Sequence, residues 1–134
     1  MSKVIASTQQ NEDYALNGIV LREAIALHQQ YGPLLLENFY RVALMNRLRT
    51  KHGLDVKTEV PITVVDEGCV IDVAYRMDLV VNDILVIELK STEANLPVYE
   101  RQLLTYLKLA NKRYGMLLNF GYPRLVDGYK HFIN

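Results

Sequence analysis

The chain has 134 residues, half of them hydrophobic, with 15 Lys and Arg balancing 15 Asp and Glu. That length is close to the commonest domain size, and the composition is that of a globular protein, far above the disordered range. One cysteine, Cys69, excludes an internal disulfide, and no apolar run approaches the roughly 18 residues of a membrane span.

The opening residues, MSKVIASTQQ, are polar and lack the apolar stretch of a signal peptide. Residues 1–14 are expected to be a flexible N-terminal segment of a single domain covering 1–134. A cytoplasmic, reducing environment fits these features. Leu16, Ile19, Val20, Ala24, Leu27 and Tyr31 recur at helical spacing, which predicts a helix over 15–31, stopped by Gly32-Pro33. A second helix is expected from about Leu35 to His52, with Leu36, Phe39, Tyr40, Ala43, Leu44 and Leu48 on one face and Gly53 as its stop. The pattern then changes. Val56 to Val65 is rich in β-branched residues, and Asp66-Glu67-Gly68 reads as a turn. Cys69 to Val80 reads as a second strand, bent in the middle. After a turn at Asn82-Asp83, Ile84 to Leu89 is nearly continuous apolar sequence, the mark of a central strand covered on both faces. Pro97 suits a first helical turn, and a third helix is expected from there to about Asn111. Gly115 to Phe120 reads as a buried strand, and the tail from Leu125 to Ile133 as an edge strand. The order predicts an α/β sandwich with a mixed sheet and helices on both faces.

Charge is less even than its sum. Residues 59–100 hold nine Asp and Glu against only Arg76 and Lys90, whereas residues 101–134 hold six Lys and Arg against Asp127. Residues 41–58 hold five Lys and Arg against Asp55. An acidic centre between basic flanks suits a metal site with phosphate-gripping edges, although a net charge of zero speaks against tight wrapping of nucleic acid.

The anomaly is the strand Ile84-Leu85-Val86-Ile87-Glu88-Leu89-Lys90. Side chains alternate with period two, so Glu88 and Lys90 share a face. Burying such charges costs several kcal/mol each unless they are paired or bind an ion. Asp78 lies in the preceding apolar strand, and pairing through the Asn82-Asp83 turn would bring it close to Glu88. Two approaching carboxylates repel, and a divalent cation resolves the repulsion. Oxygen donors suit Mg²⁺ or Mn²⁺. His28, His52 and His131 are scattered and give no zinc spacing. A metal on Asp78 and Glu88 could polarise a phosphate and activate water, with Lys90 orienting or deprotonating that water.

Asp78 followed by Glu88-Leu89-Lys90 resembles the signature of the PD-(D/E)XK nuclease superfamily, and Gln102 to Tyr106 resembles the QxxxY motif of its RecB-like members. The whole chain, over about 15–134, is most similar to the small GxxExxY proteins of that superfamily. The further segments that carry this are Gly32 to Tyr40, Arg76 to Val80, Val86 to Lys90 and Leu117 to Gly121. The resemblance implies a restriction-endonuclease-like αβββαβ core and a metal-dependent nuclease acting on nucleic acid, DNA ahead of RNA. It assigns metal ligation to Asp78 and Glu88, catalysis to Lys90, and the upstream acidic role to Glu37. Gln102 and Tyr106 would border the site, with Arg76 as a further candidate to pair with a carboxylate. Met77 replaces the Pro of the motif. Leu34 stands where the GxxExxY proteins carry Gly, so the loop into the second helix is expected to differ. Selectivity would come from a homodimer, a protein partner or substrate shape. The rival reading is a catalytically inactive module of the same fold that binds nucleic acid or a protein.

Overall fold

The computed structural model describes the backbone of residues 2–134 and the side chains of residues 11–134. Helix α1 spans Ser2–Tyr31 and α2 spans Glu37–His52. Strands β1 (Val56–Asp66), β2 (Cys69–Val81) and β3 (Leu85–Lys90) follow as a meander. Helix α3 (Pro97–Leu109) crosses over to β4 (Tyr114–Asn119), and a short 3-10 turn at Leu125–Gly128 leads into β5 (Tyr129–Ile133). The helix expected to start near residue 15 therefore begins at Ser2. The expectation of a flexible segment over 1–14 falls in part on side chains outside the described residues.

The five strands lie in the order β1-β2-β3-β4-β5. Only the β3–β4 pair is parallel, as a helical crossover between neighbouring strands requires. The sheet is therefore mixed, with β3 at its centre, and all its residues but Lys90 are buried. Odd-numbered β3 residues (Leu85, Ile87, Leu89) join the core formed with α1 and α2, through Val20, Ala24, Leu27, Tyr40, Leu44 and Leu48. Val86, on the opposite face, joins a smaller core with Leu103, Tyr106 and Leu107 of α3. Two helices on one face and one on the other is the layer arrangement that the element order implied.

Local chemistry sets the boundaries. Gly53 closes α2 at φ 61°, its N–H bonded to the Arg49 carbonyl. Glu67 and Gly68 (φ 45° and 82°) make the tight turn between β1 and β2. Asn82 and Asp83 (φ 51° and 58°) do the same between β2 and β3. The bend in β2 is a bulge: Pro61 pairs with Arg76 but Thr63 with Asp72, and Ala74 is forced to φ 63°. Residues 69–76 of β2 thereby form, with the end of β1, a mostly exposed arm that overhangs β3. Leu34 takes φ 65°, so the chain cannot run helically from Pro33 and α2 starts at Glu37 and not at Leu35.

Candidate metal and phosphate site

Leu79 pairs with Ile87, so the next rung of the β2–β3 ladder sets Asp78 beside Glu88, both on the α3 face. Asp78 is held in place by its backbone neighbour: its Oδ2 accepts the Leu89 N–H at 2.8 Å. Glu88 is 4% exposed. Its Oε2 has no hydrogen-bond partner, and its Oε1 lies 3.7 Å from the Lys90 ammonium. Burial, then the charge of Asp78 and a side-chain hydrogen bond shared with it, push the Glu88 carboxyl up to about 9, against the pull of Lys90. The site is thus short of positive charge.

Lys90 ends the same strand face. Its ammonium donates to Gln102 Oε1 at 3.5 Å and lies 4.7 Å from the centre of the Tyr99 ring. Gln102 Nε2 in turn donates to the Tyr106 hydroxyl at 2.7 Å, one helical turn along α3. Burial, then the charges of Glu88 and Asp78, raises the Tyr106 hydroxyl to about 12, so it stays neutral while accepting from Gln102. Glu37 is in the first turn of α2, where the helix dipole favours a carboxylate. Although the residue is exposed overall, partial burial of its carboxyl end and then the charge of Asp78 raise its pKa, with Lys90 and Arg41 opposing. Asp78, Glu88, Lys90, Gln102, Tyr106 and Glu37 therefore share one electrostatic neighbourhood.

Arg76 does not join it. Its guanidinium reaches both carboxylate oxygens of Asp72 at 3.3 Å and the Tyr75 carbonyl at 2.9 Å. The bulge at Ala74 folds the exposed arm so that Asp72, not Asp78 or Glu88, is the carboxylate within reach. Among the described residues no group of three His, Cys, Asp or Glu side chains is gathered tightly enough to hold an ion alone. The histidines are elsewhere: His28 bonds the Tyr122 carbonyl at 2.7 Å, His52 meets Glu23 at 3.2 Å, and His131 is in β5.

Sequence reasoning missed three structural supports of the site. Tyr40, expected on the apolar face of α2 and at the end of the Gly32–Tyr40 segment but given no bonding role, is fully buried, stacked on Phe120 at 4.1 Å, and donates its hydroxyl to the Gly32 carbonyl at 2.5 Å while accepting the Leu35 N–H at 3.1 Å. It thereby ties the loop before Glu37 to the helix that carries it. Tyr99 forms the wall under Lys90. Asn119, opposite Lys90 on β4, is fully buried. Its Oδ1 accepts the Thr92 and Gly121 N–H groups at 3.1 and 2.9 Å, and its Nδ2 donates to Thr92 Oγ1 and Asn95 Oδ1 at 3.0 and 2.9 Å. Asn119 thus pins the loop leaving Lys90, helped by the Tyr122 hydroxyl, which accepts the Asn95 N–H at 2.9 Å. An Asn in an otherwise apolar buried strand was the available signal.

The family model of the PD-(D/E)XK nuclease superfamily matches residues 14–132, and the chain belongs to that superfamily. Its members generally use divalent metal ions. Among solved structures, the crystal structure of a protein named SSO0001 is similar at 25% identity and a TM-score of 0.51, over 82% of this chain. The match spans 56% of the SSO0001 chain, little more than half its length. No curated protein matches. The fold is restriction-endonuclease-like, and the domain is nuclease-like. No helix among the described residues is long and apolar enough to cross a membrane.

Proposed function

We propose that this domain hydrolyses phosphodiester bonds in nucleic acid, with Asp78 and Glu88 holding Mg²⁺ or Mn²⁺ and Lys90 acting on the attacking water. The observation that carries the reading is Glu88: a nearly buried carboxylate with an unpartnered Oε2 beside a second carboxylate. Such a group is costly without a counter-charge, and oxygen donors of this kind fit a hard divalent cation. The bound ion would supply Lewis-acid polarisation of the phosphate. The remaining work falls to the protein. The Lys90 ammonium can orient the water and stabilise charge developing on the phosphate oxygens. Gln102 holds that ammonium in place, and Tyr106 fixes Gln102. Glu37, at the edge of the site and sensing the charge of Asp78, would be a further acidic group available there.

The spacing Leu34-x-x-Glu37-x-x-Tyr40 supports placement in the GxxExxY branch. Leu34 there adopts the left-handed backbone that Gly takes readily, and Tyr40 ties down the loop that presents Glu37. DNA is the first substrate to test, and a homodimer is one route to gripping a duplex.

The test is cleavage of single-stranded, double-stranded and branched DNA and of RNA, each with Mn²⁺ or Mg²⁺, by wild type and Lys90→Ala side by side. Cutting by wild type alone is expected. No cutting, or equal cutting by both, would overturn the catalytic reading in favour of an inactive binding module. That rival rests on the absence, among the described residues, of a tight group of three ligand-type side chains.

A further inference from the structure

We propose that the cavity between the β2 arm and α3 is a nucleobase subsite, taking one unpaired base of the strand whose phosphate lies at Asp78, Glu88 and Lys90. This rests on the nuclease reading above and specifies its substrate: single-stranded or frayed nucleic acid.

The cavity holds about 310 Å³ and is lined by Tyr75, Tyr99 and Tyr106, with Arg101 and Gln102 among its walls. A space of that size, at the lower end of small-ligand pockets, suits a flat heterocycle. It is continuous with the candidate site through shared residues. Gln102 contacts the Lys90 ammonium at 3.5 Å and the Tyr106 hydroxyl at 2.7 Å. The ammonium itself is 4.7 Å from the centre of the Tyr99 ring. A phosphate gripped by Lys90 would therefore carry its attached nucleoside toward these rings.

Tyr75 makes the cavity a stacking site. It lies on the overhanging arm, on the side it shares with Val73 and Met77, and remains 43% exposed. Its ring packs at 5.3 Å against the buried Tyr106 ring, tilted by 43°. One ring is thus fixed by the core and supports another that is open to solvent, which is how aromatic platforms hold successive bases. Charge argues for the occupant. The residues lining the cavity include Arg101 and no acidic residue, and Lys90 adjoins it. An aliphatic protein side chain would gain nothing from those cations, whereas a base that brings its phosphates along gains from both. A base inside a duplex is paired and stacked, and reaches the cavity only after it is extruded or the end frays.

The test measures binding of a short, fluorescently labelled single-stranded oligodeoxynucleotide and of its duplex, in Ca²⁺, by anisotropy. Proteins are wild type, Tyr75→Ala and Tyr75→Phe. A set of oligonucleotides, each with one abasic position, completes the design, and cleavage of the same set is followed in Mn²⁺. Stacking of one base predicts that Tyr75→Ala weakens single-strand binding roughly 5- to 100-fold, that Tyr75→Phe stays near wild type, and that duplex affinity is unchanged. It also predicts one abasic position that weakens wild type by a similar factor and leaves Tyr75→Ala unaffected. Equal single-strand affinities for wild type and Tyr75→Ala, or abasic effects identical in both, would overturn the subsite. Cleavage with no abasic-sensitive position would remove the subsite and leave the nuclease. An abasic-sensitive position with no cleavage would leave the subsite and remove the nuclease. No binding by wild type would overturn the subsite, and no cleavage beside it would overturn the nuclease as well.

Discussion

Replacing Glu88 with Gln should stabilise the metal-free protein at neutral pH. The change keeps the shape of the side chain, removes its charge, and lets an amide N–H face Asp78. In the wild type the Glu88 carboxyl is raised from 4.5 in an ordinary setting to about 9, first by burial and then by Asp78. The folded protein therefore keeps a proton that the unfolded chain has released over that whole interval. Fewer protons bound to the unfolded state means that stability falls as pH rises. The relative advantage of the protonated fold is fully present below about 4.5 and is lost progressively, the loss being complete at about 9. At about 1.4 kcal/mol per unit, the wild type loses roughly 3 kcal/mol to this group between pH 4.5 and 7. Glu88→Gln should escape that loss, so its melting temperature in chelator at pH 7 should exceed that of wild type by about 10 °C. The assay is thermal unfolding in EDTA across this pH range, taken as the difference between the two proteins so that other titrating groups cancel. At pH 7.5, adding Mg²⁺ should then stabilise wild type and leave the variant unchanged. Parallel pH curves in EDTA would refute the account of Glu88 as a carboxylate in need of a counter-charge. A Mg²⁺ response retained by the variant would remove Glu88 from the metal site.

Three further expectations concern the loops that frame the site. Tyr40→Phe keeps the stacking on Phe120 but strands the Leu35 N–H and the Gly32 carbonyl. It should cost about 1–3 kcal/mol in urea unfolding, and no change in midpoint would argue against the anchor. Leu34→Gly relieves a left-handed backbone at a half-exposed position and should raise stability by up to about 1 kcal/mol, while Leu34→Ala keeps the strain; a clear loss in the Gly variant would contradict this. Gly121→Ala places a Cβ 1.8 Å from the Thr92 carbonyl oxygen, on a loop already held by Asn119. It should cost roughly 3 kcal/mol or more, and a midpoint equal to wild type would show that the loop can yield.

The layers of the fold were legible because they depend on period and punctuation, which single residues announce. Leu16, Val20, Ala24 and Leu27 recur at helical spacing and form the face that α1 buries. The unbroken apolar run before Glu88 could only be a strand covered on both sides, and β3 is that strand. Helix boundaries were less legible where a residue departs from its usual backbone. Leu34 reads as a helix former, yet takes a conformation usually left to Gly, so α2 begins at Glu37. The start of α1 was missed for a different reason: residues 2–14 carry no strong apolar stripe, and helical propensity without one gives little signal.

Within the site, what could be read was the part that alternation fixes. Asp78, Glu88 and Lys90 lie on neighbouring strands joined by a short turn, so register alone places them on one face. Arg76 shares that parity, and alternation would have carried it to the same carboxylates. The bulge at Ala74 breaks the register between Asp78 and Asp72 and gives Arg76 a different partner. A bulge is decided by tertiary pairing and leaves little trace in composition. Tyr75 lies two residues from both Val73 and Met77, which pack on the α3 side, so ordinary alternation carries its ring against Tyr106. The regular alternation of the arm is thus what gives the site a wall beyond its charged residues. For that reason the arm, more than the carboxylates, is where substrate preference in this domain should be altered by mutation.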